Sequence, residues 1–179
     1  CGIRKAFRIG GAHAIAAMAY GTESVPQVYK IFGPGNQYVT AAKMLVNKEG
    51  VAIDMPAGPS EVAVYADDTA NPIFVAADLL SQAEHGIDSQ VLLVSTSENM
   101  VEAVNQELST QLAVLPRADF AAKALENSKA IIVENQEIAL DMLNQYAAEH
   151  LILSIENAEE VSEKITNAGS IFLGNYTPE

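Results

Sequence analysis

The chain has 179 residues, enough for one domain or two small ones around a buried core. Its 10 Lys and Arg against 23 Asp and Glu give a formal charge of −13, spread along the sequence, which repels phosphate backbones and argues against nucleic acid as a partner. Hydrophobic residues make up 49%, yet no apolar run approaches the ~18 residues that span a bilayer, and the single cysteine, Cys1, excludes an internal disulfide and a Cys-rich zinc motif. With no charged and then apolar leader at the N-terminus, a soluble cytoplasmic protein with no membrane contact is expected. The sequence opens on Cys1 without an initiator Met and stops straight after a strand-like run, so a piece of a longer chain is expected.

In chain order, short β-branched runs alternate with Gly or Asx turns and amphipathic helices, the pattern of a parallel sheet covered by helices. Ala6 to Ile9 reads as a strand stopped by Gly10 and Gly11, and His13 to Tyr20 as a helix closed by Gly21. Val28 to Phe32 is the next strand, Gly33-Pro34-Gly35-Asn36 a turn, Tyr38 to Asn47 a helix and Val51 to Asp54 a strand. Met55-Pro56-Ala57-Gly58-Pro59 breaks the rhythm, since two prolines fit neither a central strand nor a helix interior. A domain boundary or active-site loop is expected there.

Beyond the prolines, Glu61 to Tyr65 is a strand and Pro72 to about His85 a long helix with Gly86 as its C-cap. Strand Gln90 to Ser95, helix Asn99 to Leu115, helix Ala118 to Asn127 and strand Ala130 to Val133 follow. Glu137 to His150 is helical by period, Leu151 to Ile155 a strand, Glu159 to Asn167 a helix and Ser170 to Leu173 the last strand. The fold class is α/β: two Rossmann-like units with mainly parallel sheets and helices on both faces, truncated at both ends. Residues 1–58 are expected to be the C-terminal part of one such domain and residues 59–179 most of a second.

Open α/β sheets bind ligands at the carboxyl ends of their strands, against helix N-termini. The turn Gly33 to Asn36 permits close backbone approach to a ligand, and Asn36 either contacts it or simply caps the helix. Gln82 and His85 stand three apart on one helix face, so an amide oxygen and an imidazole nitrogen can share one Zn²⁺; a histidine near a helix C-terminus also serves as a plain dipole-stabilised residue. Glu149 and His150 put a carboxylate beside an imidazole before a strand, suited to two separate proton transfers or to an exposed helix end. Tyr146, Leu140, Met142 and Leu143 read as core. Ser60 stands beside Glu61 at a strand start, where it can hydrogen-bond a substrate, but G-P-S is no nucleophile elbow.

Taken together, GGAHAIAAMAYGTESVP, KIFGPGN, AIDMPAGPSEV, DLLSQAEHG, AAEHLIL and GSIFLG resemble the central part of the L-histidinol dehydrogenase family over the whole chain. The resemblance implies a homodimeric, zinc-dependent enzyme of histidine biosynthesis that oxidises L-histidinol to L-histidine through histidinal, with two NAD. By the same resemblance Ser60 binds substrate, Gln82 and His85 ligate zinc and face substrate, and Glu149 and His150 form the acid/base pair, His150 also touching substrate. Asn36 resembles a cofactor contact, as does position 13, where the family's GGAQA pattern has Gln and this chain His13. The family chain is more than twice as long. A zinc-ligating Asp soon after residue 179, a ligand His from a later region of the partner subunit and a cofactor segment before Cys1 are implied, so this piece alone is expected to be inactive. The rival readings are a non-catalytic α/β binding module and a different zinc-dependent dehydrogenase.

Overall fold

The computed structural model describes residues 2–54 and 61–177. By its internal contacts the chain divides into two compact units, Cys1–Pro59 and Ser60–Glu179.

In the first unit, helix α1 (Gly11–Tyr20) precedes strand β1 (Lys30–Ile31), helix α2 (Gln37–Lys48) and strand β2 (Ala52–Ile53). The two strands are parallel, Lys30 opposite Ala52 and Ile31 opposite Ile53. Ile15 and Ala19 of α1 pack with Ile31, Val39 and Val46, the buried stripe of this unit. The strand expected at Ala6 to Ile9 does not form, and Phe7 and Ile9 are 44% and 45% exposed. Among the described residues only β1 and β2 pair in this unit, and Ala6 to Ile9 pairs with neither, so an apolar run alone does not make a strand.

The second unit runs β3 (Glu61–Ala66), α3 (Pro72–Ala83), β4 (Gln90–Ser95), α4 (Glu98–Leu112), α5 (Ala118–Glu126), β5 (Lys129–Ile132), α6 (Gln136–Tyr146), β6 (His150–Ser154), α7 (Ala158–Ser162) and β7 (Ser170–Leu173). Its five strands are all parallel, in the order β5-β4-β3-β6-β7. Successive strand residues point to opposite faces. Val62, Val64, Val91, Leu93 and Ile152 therefore pack with Val75, Leu79, Val104 and Ala121 of α3, α4 and α5. Ala63, Tyr65, Leu92, Val94, Leu151 and Leu153 face Leu140, Leu143 and Val161 of α6 and α7. Both faces are covered, so the central strands are apolar throughout rather than alternating.

Side-chain caps set the helix starts. Asn71, with Pro72 at the first helical position, accepts from the Ile73 N–H at 3.0 Å, and Asn135 does the same for Ile138 at 3.0 Å. Several helices stop earlier than their periodicity suggests: α4 ends at Leu112 instead of Leu115 and α7 at Ser162 instead of Asn167. Helix α3 ends at Ala83 with Glu84 as its C-cap, before His85 and Gly86. Helix α6 ends at Tyr146 because Ala147 turns left-handed at φ 55°, its N–H donating to the Leu143 carbonyl at 2.9 Å. Glu149 and His150 therefore do not end a helix; His150 opens β6.

An alanine in the left-handed region carries a Cβ clash that glycine lacks, and Ala147 is exposed, with no packing to lose. Ala147→Gly is expected to stabilise the chain by about 0.5–1 kcal/mol, after the extra freedom of glycine in the unfolded state is subtracted. A lower urea midpoint for this variant would contradict that.

Candidate active site

In the β3-α3-β4 crossover, α3 runs antiparallel to the strands it joins and brings its C-terminus to the edge where they begin. There the last turn tightens: the His85 N–H donates to the Gln82 carbonyl at 3.1 Å, an i to i+3 bond that lines up the two side chains. The His85 ring nitrogen Nδ1 lies 2.7 Å from the Ser81 carbonyl oxygen. A carbonyl only accepts, so Nδ1 carries the proton in neutral His85 and Nε2 keeps its lone pair for a metal or a proton. Gln82 is 1% exposed, and its Nε2 has no hydrogen-bond partner among the described residues. An unsatisfied buried amide is costly, and a half-turn of the carboxamide exchanges donor for metal-binding oxygen. These two residues suit a borderline metal such as Zn²⁺, but among the described residues no three His, Cys, Asp or Glu come together around one.

His150 begins β6 at the same edge, opposite Val62 of β3 and Ser170 of β7. It falls on the face of Ile152, which is the face α3 covers, and its ring meets Phe172 edge-on at 5.8 Å between centroids. Glu149, one residue earlier, is tied by its backbone: its carbonyl accepts from the Ser170 N–H at 2.8 Å, while the neighbouring Ala148 carbonyl accepts from Gly169 at 3.0 Å. Gln82, His85, Glu149 and His150 are thus brought to one edge of one unit.

That edge holds residues the periodicity does not reveal. The Tyr146 hydroxyl donates to Gln90 Oε1 at 3.4 Å, and its pKa is raised above the usual phenol value, first by burial and then by the charge of Glu61. Tyr146 does pack on the apolar face under α6, as its sequence suggests, yet its polar end lies at the sheet edge where Gln90 opens β4. Gly169 stands against Glu149 so closely that a Cβ there would lie 2.5 Å from the Glu149 carbonyl oxygen.

All these groups lie where the strands begin, not at the carboxyl ends where doubly wound sheets usually bind ligands. Between β3 and β6, where the strand order reverses, the chain ties its own carboxyl edge together. Asn175 Oδ1 accepts from the Ser154 hydroxyl and from the Asn71 N–H at 3.3 Å, and its amide donates to the Thr69 carbonyl at 3.3 Å. Asp67 completes the closure by accepting from the Glu156 N–H at 3.0 Å.

In the first unit, His13 is exposed in the first turn of α1 and Asn36 is exposed at the start of α2. Asn36 is the N-cap, its Oδ1 accepting from the N–H groups of Tyr38 and Val39 at 3.1 and 3.2 Å, so the capping role is real and leaves the amide nitrogen for another acceptor. Behind this turn Lys43, 5% exposed, pairs with Asp54 and donates to the Gly33 carbonyl at 3.0 Å. The other Asp54 oxygen accepts from the Gly33 N–H at 2.7 Å. Lys43 first, then that N–H, holds the Asp54 carboxyl below its ordinary pKa. The signal in the sequence was a lysine on the stripe of Val39 and Val46, a position that demands a partner. Ser60 lies outside the described residues, as does the break from Met55 to Pro59.

A doubly wound parallel sheet with imidazoles and a carboxylate along one edge defines an α/β protein with the makings of an enzyme site. The family model of histidinol dehydrogenase matches residues 1–179, and the chain belongs to that family. It is 65% identical over 178 residues to the histidinol dehydrogenase of Bacteroides thetaiotaomicron and 62% identical to that of Bacteroides fragilis, covering 99% of this chain and 42% of each relative. The crystal structure of histidinol dehydrogenase from Elizabethkingia anophelis matches with a TM-score of 0.94 at 56% identity, over 99% of this chain and 41% of that one. The chain therefore spans about two fifths of the length of these relatives.

Proposed function

We propose that this chain is the central segment of an enzyme that oxidises L-histidinol to L-histidine through histidinal, with two NAD, in histidine biosynthesis. Its two units are then the C-terminal part of one Rossmann-like domain and most of a second. The reading is supported above all by the pinned tautomer of His85 beside the unsatisfied amide of Gln82. Those two side chains would hold zinc, and Ser60, Gln82, His85 and His150 would bind substrate. Zinc, when bound, supplies a fixed point of attachment for the nitrogens of substrate. His150 accepts the hydroxyl proton as hydride leaves for NAD, and Glu149 then takes a proton from the water that attacks histidinal. Asn36 donates its amide toward the cofactor, and His13 occupies the other cofactor position. The full-length protein works as a homodimer in the cytoplasm; the absence of any helix long and apolar enough to cross a membrane among the described residues agrees with that location.

The test is NADH formation from histidinol by the full-length protein, stripped of metal and then titrated with zinc. Activity is expected to require zinc. His85→Ala and Gln82→Ala should weaken zinc binding by more than the ~10–100-fold typical of losing an outer-sphere support. The isolated 179-residue chain, with two donors, should bind zinc weakly and turn over no histidinol. Metal-independent oxidation, or tight stoichiometric zinc binding unchanged by both substitutions, would sink the reading.

A further inference from the structure

We propose that Lys43 and Asp54 are positioning residues for the cofactor turn Gly33 to Asn36, acting as one clamp on Gly33; this rests on the reading of Asn36 as a cofactor contact. Both backbone groups of Gly33 are held by the pair, its N–H by Asp54 Oδ2 at 2.7 Å and its carbonyl by Lys43 Nζ at 3.0 Å, while Lys43 closes the ring on Asp54 Oδ1. Gly33 itself has φ 132°, a backbone angle that glycine allows and side-chain-bearing residues rarely adopt, and the pair holds both of its backbone groups in that conformation.

The clamp joins three pieces of the unit. Gly33 follows β1, Lys43 lies on the buried stripe of α2 and Asp54 follows β2. The helix that Asn36 caps is thereby fixed to the ends of both strands. Burying an ammonium is costly unless its hydrogen bonds are met, and methionine or leucine would fill the same stripe without that cost. A lysine retained there does what an apolar residue cannot, which is to fix the direction of a carboxylate and a carbonyl at the base of the turn. Small displacements of a binding turn carry large effects, since a misplacement of about 1 Å can cost ~100-fold.

The experiment uses the full-length enzyme with saturating zinc, measuring KM for NAD and for histidinol separately. Lys43→Met and Asp54→Asn are each expected to raise the NAD KM about tenfold or more, with the histidinol KM within about twofold of wild type. The double variant should be no worse than the poorer single one, because either change opens the same clamp. A purely structural pair would instead lower the melting temperature and leave the ratio of the two KM values unchanged, which would overturn the proposal. If Lys43→Met does not fold, Asp54→Asn, which keeps the shape and one acceptor, decides it alone. Asn36→Ser is run alongside, because it keeps a capping oxygen and removes the amide donor. If Asn36→Ser leaves the NAD KM unchanged, the cofactor reading of the turn fails; if it raises that KM while the clamp variants do not, only the clamp fails.

Discussion

His150→Gln in the full-length enzyme is expected to slow the oxidation of both histidinol and histidinal by ~10²–10⁴-fold, the loss typical of removing a general base. Both steps release a proton as hydride departs, and the imidazole at the start of β6 is the group assigned to receive it. Glu149→Gln separates the two steps. It keeps the side-chain shape and removes the basic carboxylate, so histidinal oxidation, which needs an attacking water, should suffer far more than the first hydride transfer. Single-turnover measurements from each substrate resolve them, since steady-state rates can hide one step behind the other. Equal losses in both steps for Glu149→Gln would show that Glu149 orients substrate or tunes His150 and does not activate water.

Gly169→Ala should be among the most damaging single-methyl changes in the second unit. Its Cβ would lie 2.5 Å from the Glu149 carbonyl oxygen and 3.2 Å from the Glu149 carbonyl carbon, and neither is the far end of a side chain that can swing away. Either β7 or the segment entering β6 has to move, and overpacking of this kind costs about 1–3 kcal/mol. The displacement falls on the backbone that aims Glu149, because the adjacent Ser170 N–H bonds that same carbonyl oxygen at 2.8 Å. A lower urea midpoint is expected, together with a loss of histidinal oxidation that resembles Glu149→Gln. Unchanged stability would mean that β7 yields freely at this point and does not hold the pair.

Much of this architecture can be read from residue order, for reasons visible in particular elements. Strands Gln90–Ser95 and Ser170–Leu173 lie where their β-branched runs fall, because each is flanked by turn residues and has neighbours to pair with. Ala6 to Ile9 also ends at a glycine turn but has no pairing partner among the described residues, and pairing is not written in composition. The end of α6 was equally hidden. Ala147 and Ala148 are strong helix formers, and no Gly or Pro marks the left-handed stop that frees Glu149 and His150 from the helix. The spacing of Gln82 and His85 reads as one helix face, but α3 ends at Ala83, and the Ser81 carbonyl that sets the His85 tautomer is a detail of the tightened turn after it. Which edge of the sheet carries Gln82, His85, Glu149 and His150 was not legible, and neither was the tie that Asn175 makes across the carboxyl ends of β3 and β6.

That tie also orders events during synthesis. Thr69 and Asn71, just after the central strand, find their partner in Asn175, 106 and 104 residues further along the chain. On a ribosome the half of the unit built from β3, α3 and β4 can assemble early through near neighbours, but its carboxyl edge keeps unmet backbone groups until the last strand has emerged and the asparagine after it has docked. Translation at ~5–20 residues per second leaves that edge open for several seconds. Asn175→Ala should therefore lengthen the interval in which nascent chains are captured by chaperones, more than it lowers the equilibrium stability of the finished protein.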